Sequence, residues 1–183
     1  MRDVRWVPYA LKLCLALLCC PGIVYAGVCR SELRPLLLQA QPDAAALAAV
    51  RSVCETEANA GDADASYQLA LFHLGLGGNW SPVEALPLIR SAAERDVAEA
   101  QYWLAWQSES GPELPHDEAV ALDWYQRAAA GRHRLALERL AVAWEQGQLG
   151  LPVDARKALQ MRAQIRKCED ENRSQTVQQA GYQ

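Results

Sequence analysis

A six-residue block recurs along this chain at shifts of 35 and 36 residues. Its copies read ASYQLA over 65–70, AQYWLA over 100–105 and ALERLA over 136–141. A second pair of residues keeps nearly the same period, as Ala85-Leu86, Ala121-Leu122 and Ala158-Leu159. A fixed period of this length is typical of supersecondary units that stack, because a single unit cannot bury its own apolar face. The period therefore constrains the chain to a linear array of repeats.

Within each copy the apolar residues are spaced i, i+3, i+4, i+7, which is the period of an α-helix. Glycine and proline separate these segments, as at Gly111-Pro112 and Gly150 to Pro152. Glycine caps helix ends in the left-handed conformation, and proline fits the first helical turn. Alanine and leucine predominate, which favours closely packed helices over strands. We therefore predict an all-α chain with helices near 30–40, 43–60, 62–76, 82–95, 97–109, 116–130, 133–146 and 152–168.

Two stretches resemble a known family of repeats. Asp117-x3-Ala121-Leu-x-Trp124-Tyr-x2-Ala128-Ala-x-Gly131 and Gly147-x2-Gly150-x-Pro152-x-Asp154-x2-Lys157-Ala158 are similar to Sel1-like repeats, relatives of tetratricopeptide repeats. The resemblance covers about residues 55–165. It implies a right-handed α/α superhelix of about three repeats over 61–168, which follow an N-terminal helical hairpin over 27–60. Residues 169–183 are polar and lack periodicity, so we expect them to form a disordered tail. Arg95 replaces the expected closing glycine, and Pro87 lies inside a helix, so the first repeat is expected to be bent.

The N-terminus has the pattern of a signal peptide. Arg2, Arg5 and Lys12 precede an apolar run over 13–20, and Val24-Tyr-Ala26 has the small-residue spacing read by signal peptidase. Cleavage after Ala26 would place the protein in the periplasm or outside the cell, without stable membrane insertion. An uncleaved anchor is the alternative, but the run is shorter than the ~20 residues that a spanning helix needs. Removing one acidic and three basic residues would change the net charge from −4 to −6.

The three cysteines beyond the signal peptide allow one disulfide. If Gln41-Pro42 is the turn of a helical hairpin, Cys29 and Cys54 lie about a dozen residues to either side of it. Equal arms place them side by side, so we predict a Cys29–Cys54 bond in an exported protein. Cys168 is left over, and is either free or able to bridge two chains. Three free thiols are the alternative.

The sequence contains none of the motifs that identify common enzymes or metal sites. It lacks G-x-S-x-G, H-E-x-x-H, a phosphate-binding glycine loop and, beyond residue 26, C-x-x-C. His73, His116 and His133 have no ligand spacing. The chain is mildly acidic and has no basic patch, so its charge does not favour binding to nucleic acid. We therefore predict no catalytic residue, metal or cofactor.

In tetratricopeptide-like folds the first helix of each pair lines a concave groove, and the resemblance implies the same here. We call the corresponding helical positions the inner face. Carboxylates and aromatic side chains on it would bind another protein with a basic or amphipathic surface. The alternative is that the aromatic residues pack against neighbouring repeats. The predicted partner-binding residues are Asp64, Tyr67, Leu71, Glu99, Tyr102, Trp106, Glu109, Glu138, Val142 and Glu145, with Leu74 and Leu135 on the same face.

The resemblance implies an exported adaptor or scaffold that binds a protein and catalyses nothing. Two narrower roles are described for exported relatives of similar length. One is immunity against a secreted toxin of the type VI phospholipase kind, and the other is assembly of a periplasmic motor. Some cysteine-rich relatives are described as penicillin-binding hydrolases, but they carry paired cysteines in each repeat, and this chain has no S-x-x-K motif.

Overall fold

The computed structural model describes residues 27–180, and the proposed signal peptide and its cysteines lie outside this range. Eight helices fill the described part of the chain, with no strand beyond one isolated bridge between Leu74 and Trp80. The all-α prediction is confirmed. The helices are α1 Val28–Leu37, α2 Ala44–Asn59, α3 Ala63–His73, α4 Pro82–Glu94, α5 Ala98–Ser110, α6 Glu118–Ala130, α7 Arg134–Gln146 and α8 Ala155–Ala180.

Each helix packs chiefly on its neighbours along the chain, as expected for a linear array. The odd-numbered helices are the first members of the helix pairs, and the even-numbered helices are the second members. Three apolar clusters follow one another along the stack, centred on Leu33, Ile89 and Leu137. No described helix is long and apolar enough to cross a membrane.

The recurring alanines form the seam within each pair. Ala70, Ala105 and Ala141 are at most 2% exposed, and so are Ala85 and its equivalents Ala121 and Ala158. A methyl side chain lets two helix backbones approach closely, while the leucine beside it fills the adjacent space. The repeated block therefore sets the distance between the helices.

A left-handed residue turns the chain from one repeat into the next. Asp96 has φ 64° and Arg132 has φ 62°, and the amide after each donates to a carbonyl in the preceding helix. This geometry matches a Schellman cap. Gly131 is needed for a different reason, because a Cβ there would lie 2.8 Å from the Ala98 Cβ.

The N-terminal hairpin contains the predicted disulfide. Cys29 on α1 and Cys54 on α2 are bonded, with Cα atoms 4.8 Å apart, and both are fully buried. Beside them, the Glu57 side chain is 2% exposed and accepts hydrogen bonds from the amides of Val28 and Cys29, both at 3.1 Å. A carboxylate at a helix N-terminus satisfies amides that have no partner within the helix.

α4 runs from Pro82 to Glu94 through Pro87 as one continuous helix, in agreement with the helix predicted over 82–95. The segment expected to be a disordered tail differs from the prediction, because α8 continues to Ala180 where the sequence predicts an end at 168. Residues 169–180 contain neither glycine nor proline, so nothing in their composition ends the helix.

Candidate functional site

Arg30 joins two predicted inner-face carboxylates that belong to different repeats. Its guanidinium lies on α1 and donates to both Asp64 oxygens on α3, at 2.9 and 2.8 Å, and to Glu99 on α5. Burial would lower the pKa of Arg30, but Glu99 and Asp64 together raise it above its ordinary value. Three first helices thus present one charged cluster on a shared face.

Tyr67 lies half-buried beside this cluster. Burial, reinforced by the negative charge of Glu99, raises its pKa to about 12. Its phenol is therefore neutral at physiological pH, so it can donate a hydrogen bond but cannot act as a base. Leu71 and Leu74 follow along α3 and are also half-buried.

Glu109 links three helices. It accepts from Arg139 Nε on α7 at 2.9 Å and from the Tyr125 hydroxyl on α6 at 2.8 Å. Burial alone would raise its pKa, but the hydrogen bonds from Arg139 and Tyr125 hold it below its ordinary value. This charged group is about four-fifths buried on both sides, so it belongs to the contact between repeats rather than to a free rim.

Tyr102 also packs between repeats. Its ring stacks on His133, with centroids 4.5 Å apart, and meets the Tyr125 ring at 5.9 Å. Burial lowers the pKa of His133, with Glu99 opposing that shift, and the His133 Nδ1 accepts the amide of Ala136 at the start of α7. For Tyr102, the structure therefore agrees with the alternative interpretation, in which the aromatic side chains pack against neighbouring repeats.

Trp106 differs from the two tyrosines. Its side chain is 43% exposed, one helical turn beyond Tyr102, and Leu135 on α7 is 48% exposed. Val142 is half-buried and lines a cavity of about 370 Å³ with Ile165. Large apolar side chains left accessible beside charged groups resemble the centre of a binding interface.

The two remaining carboxylates are paired as well. Glu138 accepts from Arg134 on its own helix at 2.8 Å, and Glu145 contacts Arg162 on α8 at 2.8 Å. All five predicted carboxylates therefore have an arginine partner in the structure. The predicted inner-face carboxylates are therefore not free charges, because arginines on neighbouring turns and helices pair with each of them.

The sequence reasoning missed these arginines. Arg139 could have been found from the pattern, because it lies in the third copy of the six-residue block, next to Leu140. Arg30 gave no such signal, since its partners Asp64 and Glu99 are 34 and 69 residues away. Among the described residues, no group of three or more histidine, cysteine or acidic side chains is placed to hold a metal ion.

The Sel1 repeat model matches residues 63–97, 98–133 and 134–161, more than half of the chain. The chain belongs to the Sel1 repeat family. Each match begins at the first residue of a first helix, and the first two matches also include the whole second helix. The third match ends at residue 161, inside α8. Sel1 repeats are generally non-catalytic and typically serve as scaffolds for protein–protein interaction.

Solved structures agree with this assignment. A Sel1 repeat protein from Oxalobacter formigenes is 28% identical, with a TM-score of 0.59, over 69% of this chain and 95% of that one. The protective antigen c5321 of uropathogenic Escherichia coli, which has an SLR fold, is 19% identical with a TM-score of 0.61. That match covers 80% of this chain but 31% of the antigen, and it supports the fold alone. No curated protein matches the chain significantly.

Proposed function

We propose that this Sel1 repeat protein is an exported adaptor that binds a partner protein on its inner face. The observation that carries the proposal is the exposed Trp106, flanked by Tyr102 and by the arginine–carboxylate clusters of Glu99 and Glu109. Tryptophan, tyrosine and arginine are the residue types most enriched at interface hot spots. The repeat contacts hold their surroundings in place before any partner arrives, which lowers the entropy cost of binding.

The charge pairing narrows the kind of partner. An unpaired acidic column would favour a strongly basic surface, but each carboxylate here already has an arginine. An amphipathic segment fits better, with an apolar side placed on Trp106 and Leu135 and polar groups at the paired charges. Such paired rims affect encounter rate and specificity more than affinity.

Export rests on the signal-peptide pattern and on the disulfide, a bond that persists in oxidising compartments. Intact-mass measurement of protein from the periplasm or medium should give a chain starting at Gly27. A mass that still includes residues 1–26 would favour the anchored alternative.

Comparing two exposed tryptophans tests the binding face. Trp106→Ala should weaken partner capture by about 2 kcal/mol or more if Trp106 is a hot spot. Trp80→Ala is the matched control, because Trp80 is 62% exposed but lies in the α3–α4 loop. Quantitative cross-linking in the producing cell, followed by binding measurements with the purified partner, should separate the two variants. Equal loss, or no loss, for both would contradict the proposed face.

Tyr102→Ala is not a clean test of binding, because its ring packs on His133 and Tyr125. It should lower the melting temperature as well as the affinity, whereas Trp106→Ala should leave the melting temperature nearly unchanged. Turnover of a chromogenic β-lactam by the purified wild-type protein would refute the non-catalytic assignment.

A further inference from the structure

At one pair of equivalent positions, the residues differ in chemical character from repeat to repeat. Four residues after the leucine of each repeated block stand His73, Ser108 and Trp144, and directly before each seam alanine stand Glu84, Val120 and Lys157. The first position lies at the end of the first helix, and the second lies near the start of the second helix. The two positions therefore face each other across the loop of each pair.

In the outer two repeats an aromatic ring meets a charged group at this point. His73 Nδ1 lies 2.7 Å from Glu84 Oε2 but forms no hydrogen bond. Lys157 Nζ lies 3.9 Å from the centroid of the Trp144 ring, a cation–π contact. In both repeats a ring of the chain itself lies at this position, and in the Trp144 repeat a groove remains open beside it.

The middle repeat lacks that ring. Ser108 takes the position of His73 and Trp144, and Val120 takes the position of the charged residue. A cavity of about 260 Å³ lies there, walled by Leu104, Leu114, Pro115, Val120 and Trp124 around the buried Ser108. Arg127 covers the Trp124 ring at 4.7 Å from its centroid, and Val120 is 43% exposed at the cavity mouth.

The equivalent groove in the next repeat has a different lining. It measures about 330 Å³, and its lining combines two alanines, Leu140, Trp144 and Met161 with Lys157 and three glutamines, Gln126, Gln160 and Gln164. An amide-rich wall suits solvent, whereas the leucine, proline, valine and tryptophan of the middle groove suit an apolar side chain. The groove of the middle repeat is thus more apolar than the equivalent groove of the next repeat.

Charges at the rim of the middle groove restrict its occupant further. Arg90 and Glu94 lie one turn apart on α4, and neither forms an ion pair with any side chain that the structure describes. Asp117 adds a second carboxylate, whose Oδ1 accepts the amides of Ala119 and Val120. Arg127, which covers Trp124, is paired with Asp123 at 3.0 Å. Glu94 and Asp117 against the single guanidinium of Arg90 therefore leave the rim mildly acidic.

We propose that this groove between α4 and α6 is a second docking site, which receives an aromatic side chain from a partner segment with a basic residue beside it. The incoming ring takes the place that Trp144 occupies in the next repeat, against Val120 and Leu114. The adjacent basic group lies near Glu94 and Asp117.

The groove is lined by α4, by α6, and by Leu104 and Ser108 of α5. Trp106 lies two residues from each of these two, about 200° around α5 and so on its opposite side. The groove can therefore be occupied independently of the inner face.

The test titrates capped tripeptides into the purified, isotope-labelled protein and follows its amide and indole NMR signals. Lys-Trp-Lys should shift the Trp124 indole signal and the Leu104 and Val120 amides in a saturable way, leaving the Trp106 indole unchanged. Lys-Ala-Lys and Glu-Trp-Glu should each bind at least fivefold more weakly. Equal binding of Lys-Ala-Lys, or shifts confined to Trp106, would overturn the proposal.

Ser108→Trp recreates the ring of the next repeat and should reduce Lys-Trp-Lys affinity at least tenfold. Trp106→Ala, the inner-face variant, should leave that affinity unchanged and so separates this site from the proposed function. If Ser108→Trp does not fold, as judged by circular dichroism, Val120→Lys serves instead: it should weaken Lys-Trp-Lys and favour Glu-Trp-Glu. Undiminished binding in the folded variant would refute the site. Concentration-dependent shifts of Trp124 without peptide would assign the groove to self-association instead.

Discussion

The two ends of the stack are closed in different ways. At the N-terminal end, α1 and α2 are held by a buried disulfide and by the buried carboxylate of Glu57. At the C-terminal end, α8 packs against α7 and is attached at its edge by exposed ion pairs, Arg162–Glu145, Arg132–Glu171 and Arg134–Glu169. One end therefore depends on a covalent bond and a buried side chain that accepts two amide hydrogen bonds, and the other on packing and screened charges.

The difference shows how a short array stabilises its terminal units. α1 is ten residues long and buries only Cys29 and Leu33, so its packing alone contributes little. α8 is 26 residues long. The last matched repeat ends at residue 161, and α8 gains contacts by extending beyond that point. The short terminal helix α1 is held by a covalent bond, whereas the long terminal helix α8 is held by the additional contacts that its length allows.

Removing the disulfide should have the largest effect on stability. Cys29→Ala/Cys54→Ala releases a 25-residue loop and should cost about 3 kcal/mol, mostly through the entropy of the unfolded chain. Urea unfolding followed by circular dichroism measures it, and the reduced wild-type protein should behave similarly. Cys168→Ala, which removes the free thiol, should leave the curve unchanged. An equal loss from Cys168→Ala would contradict the comparison of the two ends.

Glu57 should rank second. Glu57→Ala leaves the buried amides of Val28 and Cys29 without an acceptor, which should cost about 1–3 kcal/mol even with the disulfide intact. Glu57→Gln retains one acceptor oxygen and should lose less. Hydrogen exchange at Val28 and Cys29 should accelerate in the alanine variant. Exchange that stays as slow as in the wild type would mean that another group caps α1.

His133 should give the C-terminal half a modest pH dependence. Burial lowers its folded pKa below the ordinary value of about 6.5, so the unfolded chain binds the proton more readily. Its contribution is present above that ordinary value and is lost as the pH falls through the folded pKa. Melting temperatures from pH 7.5 to 5.5 should therefore fall more steeply for the wild type than for His133→Asn, which keeps a capping side chain. Equal slopes would contradict this assignment.

The exposed ion pairs on α8 should matter least. Glu169→Gln/Glu171→Gln removes the contacts with Arg134 and Arg132, which solvent and salt already screen. The melting temperature should hardly change, while hydrogen exchange beyond residue 168 should increase. A large drop in melting temperature would show that the two ends are more alike than their contacts indicate.

Most of the fold could be predicted because it repeats. The shifts of 35 and 36 residues located the helix pairs, and equal hairpin arms brought Cys29 and Cys54 together. Both predictions depend only on the repeat period and on the residue spacing within the hairpin. The continuation of α8 was missed because a polar segment without periodicity gives no sign of helix, and ion pairs with Arg132 and Arg134 depend on a neighbouring element.

The site was predicted less well, for a related reason. Helical spacing correctly indicated that Tyr102, Trp106 and Glu109 follow one another along one helix. It could not distinguish a ring that packs on His133 from one that faces solvent, because those neighbours come from other helices. It also gave no sign that Glu109 is paired, because its partner Arg139 comes from the following repeat.

Arg30 has a consequence for how the protein unfolds. In a repeat array where each unit touches only the next, units can melt one at a time from the ends. Arg30 on α1 pairs with both Asp64 on α3 and Glu99 on α5, so it reaches past the adjacent repeat to the one beyond. Such a next-nearest contact couples units that are otherwise independent, and residues 28–110 should consequently fray slightly less readily than a strictly nearest-neighbour array. Because these pairs are as exposed as those on α8, added salt should weaken the coupling.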